Sequence, residues 1–379
     1  MKYEIPFNRP FMVGNELEYI RQAVEQGHLA GDGLFTKKCH AWMEHAFNAR
    51  KVLLTPSCTA ALELAALLCD LQPGDEVILP SYTFVSSANA FVLRGAKPVF
   101  VDIRPDTLNI DEKLIPGAIT ARTRAIVPTH YAGVASEMDT IMKVASDHSL
   151  TVIEDAAQGV NATYKGRFLG TLGHMGCYSF HETKNLISGE GGALVLNRAE
   201  DIERAEIMRE KGTNRSKFFR GEVDKYTWVD VGSSYLPSEI VAAFLCAQLE
   251  ECEQITERRR GIYTHYATSL EPMERSGLLR LPHPPAECAG NAHMFYLLLP
   301  NEKQRDGLLG FLKERSILGV FHYVPLHTSP MGRRFGYGDG DLPATEDLSR
   351  RLIRLPFYFG LGRAEQDRVI GAINAFLGA

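Results

Sequence analysis

Short, uninterrupted apolar runs alternate along this chain with longer segments in which apolar residues return every three or four positions. The runs fall at 51–55, 76–79, 98–102, 125–128, 151–153, 177–180 and 193–196. Runs of that length without a polar break predict strands buried on both faces. The longer segments predict helices. In 15–26, Leu17, Ile20 and Val24 share one helical face and Gly27 supplies a stop. In 137–149, Ile141, Val144 and Ala145 point the same way, as in a crossover helix. Strand and helix in turn predict an α/β fold: a mostly parallel seven-stranded sheet with helices on each side. The apolar segment 239–260 reads as one long helix closing this unit. Beyond it lie a proline-rich turn (Leu281-Pro-His-Pro-Pro285), a strand-like run at 294–299, and helices near 306–315 and 365–377. That remainder reads as a smaller α+β domain, so the expected division is 1–250 and 251–379. The segment 332–343, rich in Gly and Asp, is expected to be exposed and mobile. No internal repeat or low-complexity tract is present.

Composition narrows the function classes. The chain has 379 residues, 45% hydrophobic and 23% charged, with a net charge of −5. That balance suits a large globular core and argues against a nucleic-acid footprint. The basic run Arg258-Arg-Arg260 is short and reads as a solvated helix face. Seven cysteines without a Cys-x-x-Cys pair predict reduced thiols. Glu4, Pro6, Asn8 and Arg9 interrupt any early apolar stretch, and no run reaches membrane-spanning length. A cytoplasmic protein with no membrane partner is expected.

Chemistry concentrates at strand ends. Ser179-Phe-His-Glu-Thr-Lys184-Asn185, followed by Ser188-Gly-Glu-Gly-Gly192, places one lysine between an apolar strand and a glycine-rich return. A lysine whose pKa is lowered by its surroundings can form a Schiff base with a carbonyl compound. Most lysines are solvated surface charges, so the weight comes from its companions. Asp155 follows the strand Val152-Ile153. Ligands of open α/β sheets bind outside such carboxyl ends. Alone it would be a helix cap. Beside a Schiff-base lysine it suits pyridoxal phosphate, whose pyridine nitrogen needs a carboxylate to stay protonated. Gln158, one turn on, can reach the ring's phenolic oxygen. Thr55-Pro-Ser57-Cys58-Thr59 precedes an Ala/Leu-rich run, which predicts a helix N-terminus able to hold a phosphate. An ordinary cap is the commoner reading, and no Walker lysine follows. Phe84, in Pro80-Ser-Tyr82-Thr-Phe84, could stack on a planar ring, although alone it would read as core.

Together these elements resemble the DegT/DnrJ/EryC1/StrS sugar aminotransferases over nearly the full length. The closest likeness lies in Leu53-Leu-Thr-Pro-Ser-Cys-Thr59, His181-Glu-Thr-Lys-Asn185, Lys211-Gly-Thr-Asn-Arg215, Val223-Asp-Lys-Tyr-Thr-Trp228 and Asn291-Ala-His-Met-Phe-Tyr296. The resemblance implies a fold-type I pyridoxal 5'-phosphate enzyme. It implies Lys184 as Schiff-base lysine, Asp155 at the pyridine nitrogen, Gln158 near the phenolic oxygen and Phe84 on the ring face. Cys58, Thr59 and Ser179 would surround the phosphate. It further implies L-glutamate as amino donor and a dTDP-linked 4-keto-6-deoxyhexose as acceptor, made into a 4-amino sugar for surface glycans. His322 and His327, in His322-Tyr-Val-Pro-Leu-His327, would lie near the sugar nucleotide. A homodimer with shared sites is implied. Many relatives carry a Gly-aromatic-Asn run whose asparagine reaches the neighbouring subunit's phosphate. This chain has Gly232-Ser233-Ser234-Tyr235 there, so Ser234 would stand in.

Other readings weigh less. A dehydratase branch of the family carries histidine in place of the lysine, and Lys184 disfavours it. A non-catalytic binding or regulatory protein would need no Schiff-base lysine. His181-Glu182 begins like a zincin helix, but position 185 is Asn185, so no metal is expected. Gly189-Glu-Gly-Gly-Ala-Leu194 ends in leucine and precedes a strand, which disfavours NAD.

Overall fold

The computed structural model describes residues 3–378. All seven apolar runs become strands of one sheet: β1 (Lys51–Thr55), β2 (Glu76–Pro80), β3 (Lys97–Val101), β4 (Thr123–Ile126), β5 (Thr151–Asp155), β6 (Met175–Ser179) and β7 (Gly192–Leu196). Their order is β1-β7-β6-β5-β4-β2-β3. The pairs from β6 to β3 are parallel, and β7 runs antiparallel to both neighbours. Successive side chains of a strand point to opposite faces, so one apolar run feeds two cores. Val52, Leu54, Ile78, Val152 and Val195 enter one. Leu53, Val77, Leu79, Ile153 and Leu194 enter the other. Truncating one of these leucines or isoleucines to alanine should cost about 2–5 kcal/mol.

The first core is covered by α1 (Glu16–Glu25) and α2 (Leu34–Ala46), the second by α3 (Cys58–Leu68) and α4 (Ser86–Val92). The helix α5 (Met138–Asp147) returns to the first face, burying Met138, Ile141 and Ala145, with Val144 packed at its margin. In α1 the expected inner face is wrong. Glu16 and Ala23 are buried, whereas Leu17 and Val24 are more than half exposed. The Glu16 carboxylate explains the rotation. It accepts the Val13 and Gly14 amides and the Gln248 side chain, capping the helix start from inside.

The segment 239–260 is not one helix. The chain breaks at Glu251 (φ −100°, ψ 16°), between α6 (Glu239–Glu250) and α7 (Cys252–Arg275). The break redirects packing. Cys252 and Ile255 still serve the first core, while Ile262, Tyr266, Leu270 and Met273 enter a third. No glycine or proline marks the break. Arg259, expected on a solvated face, is buried beneath this third core. Here α8 (Glu302–Glu314) and α9 (Arg363–Leu377) pack with a two-stranded antiparallel sheet, β8 (Tyr296–Leu298) and β9 (Leu352–Arg354). Ile5 joins this core through backbone bonds to Ser316 and Leu318 at 3.1 and 3.0 Å. The segment 332–343 is fastened: Arg333 pairs with Asp339 at 2.9 Å, and the Tyr337 hydroxyl accepts the Phe100 amide at 2.9 Å. Among the described residues no helix is long and apolar enough to cross a membrane. All seven cysteines are free.

Candidate active site

A cavity of about 700 Å3 opens where β1, β2, β5 and β6 end. Eight of the sequence-predicted residues line it: Cys58, Thr59, Phe84, Asp155, Gln158, Ser179, Lys184 and His322.

Lys184 sits on the loop joining β6 to β7. That loop closes on itself through Ser188 N to Phe180 O at 2.8 Å and Glu182 N to Gly189 O at 2.9 Å. Gly189 takes φ 79°, a conformation a β-carbon would strain. Lys184 makes no ion pair or side-chain hydrogen bond among the described residues. Burial of its amine lowers its pKa from the usual value, and Cys58 and Asp155 only partly offset this.

Asp155 ends β5 and is almost fully buried. The Ser87 hydroxyl donates to its carboxylate at 2.5 Å, and the Ala157 amide donates to its other oxygen at 3.2 Å. Since Ser87 gives its proton to Asp155, it accepts from Thr83 at 2.7 Å, and Thr83 accepts from Thr129 at 3.1 Å. Three hydroxyls in series thus fix where the carboxylate points. Gln158 is braced at both ends: its carbonyl accepts the Ala132 amide at 2.7 Å and its NH2 donates to the Tyr323 hydroxyl at 3.0 Å.

Helix α3 meets the cavity with its N-terminus. Ser57 caps it by accepting the Ala60 amide at 3.1 Å. The amides of Cys58 and Thr59 have no partner among the described hydrogen bonds, and the Thr59 hydroxyl meets Ser86 at 2.8 Å. The helix approaches β7 so closely that a β-carbon on Gly192 would stand 2.3 Å from the Ser57 carbonyl carbon. Burial pushes the Cys58 thiol well up, so it stays neutral beside this anion site.

The opposite wall comes from the third core. His322 is buried, with Nδ1 3.0 Å from the Tyr131 hydroxyl, and its carbonyl accepts from Tyr82. His293 is bonded to Asn185 at 2.9 Å. Desolvation holds both rings well below the usual histidine range, so both are neutral. Arg354 and Phe7 complete this side.

One expected residue lies elsewhere, and another, expected at the neighbouring subunit's phosphate, lies at the surface. His327 is fully buried away from the cavity, with Nδ1 2.7 Å from the Ser81 hydroxyl and Nε2 3.2 Å from Glu346. It ties one strand end to the segment after it. Ser234 is exposed on the outer surface, bridged to Glu210, and does not line this chain's cavity. The residues the sequence reading missed are Thr83, Ser87, Thr129, His293, Tyr323 and Arg354. Thr83 and Ser87 had a signal, a hydroxyl pair four apart at a helix start. His293 lay inside a run already singled out. Arg354 had none.

A free amine, a carboxylate at a strand end and an unpartnered helix N-terminus facing one cavity fit a phosphorylated aldehyde cofactor. The comparisons agree. The profile of the DegT/DnrJ/EryC1/StrS aminotransferase family matches residues 11–374, and the chain belongs to that family. It is therefore a pyridoxal phosphate-dependent sugar aminotransferase. It is 38% identical over 326 residues to an uncharacterized protein of Methanocaldococcus jannaschii, covering 84% of this chain and 83% of that one. It is 32% identical over 383 residues to the spore coat polysaccharide biosynthesis protein SpsC of Bacillus subtilis, covering 98% and 96%. The crystal structure of the aminotransferase TlmJ from Streptoalloteichus hindustanus superposes with a TM-score of 0.90 at 29% identity, over 100% and 99% of the two chains.

Proposed function

We propose that this enzyme transfers the amino group of L-glutamate to C4 of a dTDP-linked 4-keto-6-deoxyhexose, dTDP-4-keto-6-deoxy-D-glucose being the first acceptor to try. The product would be a dTDP-4-amino-4,6-dideoxyhexose, made in the cytoplasm for surface glycan assembly. The observation that carries the amino-transfer reading is the unpaired, desolvated Lys184 amine lining the same cavity as Asp155. The sugar assignment is supported by the sequence runs that resemble enterobacterial common antigen transaminases, and by the polysaccharide role in the name of the Bacillus relative.

In this reading the α3 amides of Cys58 and Thr59, with the Ser179 hydroxyl, hold the cofactor phosphate. Phe84 covers one ring face, and Gln158 turns an N–H to the phenolic oxygen. Asp155 keeps the ring nitrogen protonated. Bound pyridoxal phosphate supplies the ring that takes up the electron pair when a C–H bond breaks. Lys184 Nζ takes the proton from the α-carbon of glutamate and, in the second half, returns one to the sugar carbon. Its lowered pKa makes the amine easier to deprotonate for the first of these steps. Adding L-glutamate alone should convert bound pyridoxal phosphate to pyridoxamine phosphate, with 2-oxoglutarate released. Absence of that conversion would reject glutamate as donor.

The same reading has two subunits completing each other's sites. Met12, Leu17, Val24, Phe219 and Trp228 are all at least half exposed, apolar side chains that a neighbouring subunit would cover. Gly232 is packed against the 208–212 turn, where a β-carbon would stand 2.1 Å from the Gly212 amide. The turn presents Ser234 outward, as a donor to the neighbouring subunit's phosphate would need. Mixing Lys184→Ala subunits with subunits altered at 232–235 should restore one intact site per mixed dimer. No rescue in confirmed mixed dimers would reject the shared site.

A further inference from the structure

Arg354 closes the far wall of the cavity at the end of β9. Its backbone is fixed by exchange with Val320, at 2.7 and 3.1 Å. Its guanidinium lies 4.6 Å from the Phe7 ring centroid. Of its five N–H donors, one reaches the Phe321 carbonyl, at a long 3.4 Å. Nε is buried without any partner, and no carboxylate lies within ion-pair distance among the described residues. The fully buried arginines are better satisfied. Arg209 pairs with Asp32 at 2.8 Å and donates to the Leu54 carbonyl, leaving one nitrogen over. Arg259 donates to the Ala292 and His293 carbonyls at 3.0 and 2.6 Å.

An uncompensated cation in a desolvated wall is costly unless a ligand brings the opposite charge. Lys184 is the cavity's other cationic side chain, and it is committed to the cofactor. The phosphate cradle on α3 lies across the cavity. Consistently, Arg354 pushes His293, His322 and Lys184 toward their neutral forms, whereas the charges felt at Cys58 are those of Asp155 and Lys184. A planar guanidinium matches a substrate oxyanion in two-point contact.

We propose that Arg354 is the cavity's substrate oxyanion site and that it takes a carboxylate of the amino donor. The proposal rests on the amino-transfer reading above. The sugar nucleotide's diphosphate is the other oxyanion available, and the test separates the two.

Glutarate and dTDP would each be titrated calorimetrically into the pyridoxamine phosphate-loaded wild-type, Arg354→Lys and Arg354→Gln enzymes. Absorbance and sedimentation would check that cofactor and oligomer are retained. Glutarate should bind about ten- to a hundredfold more weakly to Arg354→Gln. Arg354→Lys, which keeps the charge but loses the fork, should fall between, and it carries the test if the glutamine variant does not fold. dTDP binding should stay within about threefold, since it makes no use of this hydrogen-bonded charge. Unchanged glutarate affinity in both variants would overturn the proposal. So would a selective loss of dTDP binding, which would assign the arginine to the diphosphate. Loss of cofactor or of the oligomer with glutarate binding intact would also overturn it. Glutarate binding needs no turnover. A wild-type enzyme that binds glutarate through Arg354 yet accepts no amino group from glutamate would reject the donor, not the site.

Discussion

The two walls of the cavity are built differently. One consists of strand ends and the turns directly after them: Thr55 to Thr59 after β1, Ser81 to Ser87 after β2, Asp155 after β5, and Ser179 to Lys184 after β6. Its groups are fixed by the sheet and by short chains of hydrogen bonds, such as the three hydroxyls behind Asp155. The other wall consists of loops and the end of a small sheet from the third core: His293, Phe321, His322, Tyr323 and Arg354. Its polar groups are neutral rings and one unpaired guanidinium. The difference teaches a division of labour. The rigid strand ends suit the cofactor, which would stay held there through both half-reactions. The second wall suits two substrates that must use one site in turn.

Variants should separate the walls by size of effect. Lys184→Ala should abolish turnover, because no other amine faces the cavity. Borohydride reduction of the cofactor-loaded wild type, followed by peptide mapping, should find the label on Lys184, and a label on any other lysine would refute the assignment. Asp155→Asn keeps the shape but loses the charge. With each pKa unit at the ring nitrogen worth about 1.4 kcal/mol, kcat should fall at least tenfold at full cofactor occupancy. A smaller loss would count against the pyridinium role. On the second wall, His322→Gln should raise KM for the sugar nucleotide by several-fold while leaving the glutamate half-reaction nearly intact. The smallest kinetic effect is expected at His327, five residues on. His327→Gln should cost about 1–3 kcal/mol of stability through the lost Ser81 and Glu346 contacts, seen as a lower Tm. Its kcat/KM should stay within about threefold, because a buried hydrogen-bond loss off the cavity acts on folding. Equal kinetic damage at both histidines would erase the distinction drawn between them.

The first wall was legible in the sequence because its logic is local. An apolar run of five residues must be a buried strand here, and the polar residue that ends it must face the sheet's carboxyl edge. That reasoning reaches Asp155, Ser179 and Lys184, and the cap before an Ala/Leu run reaches Cys58 and Thr59. It fails where position depends on contacts distant in sequence. The rotation of α1 comes from Glu16 bonding Gln248, more than two hundred residues away. The break at Glu251 has no local marker and reflects a helix passing from one core to the next. His322 and His327 share one short loop, yet only one turns to the cavity, because Ser81 and Glu346 claim the other. Arg354 reads as an ordinary strand residue until the lack of a counter-charge is seen in three dimensions.

The most direct test of the account is the fate of labelled nitrogen. The purified enzyme would be incubated with pyridoxal phosphate, [15N]-L-glutamate and dTDP-4-keto-6-deoxy-D-glucose, and the sugar product followed by NMR. The account predicts 15N bonded to C4 of an intact dTDP-linked 6-deoxyhexose, with one 2-oxoglutarate formed per amine and no signal from Lys184→Ala. A deoxygenated or dehydrated sugar lacking nitrogen, or 15N transferred equally well by the Lys184→Ala enzyme, would contradict it.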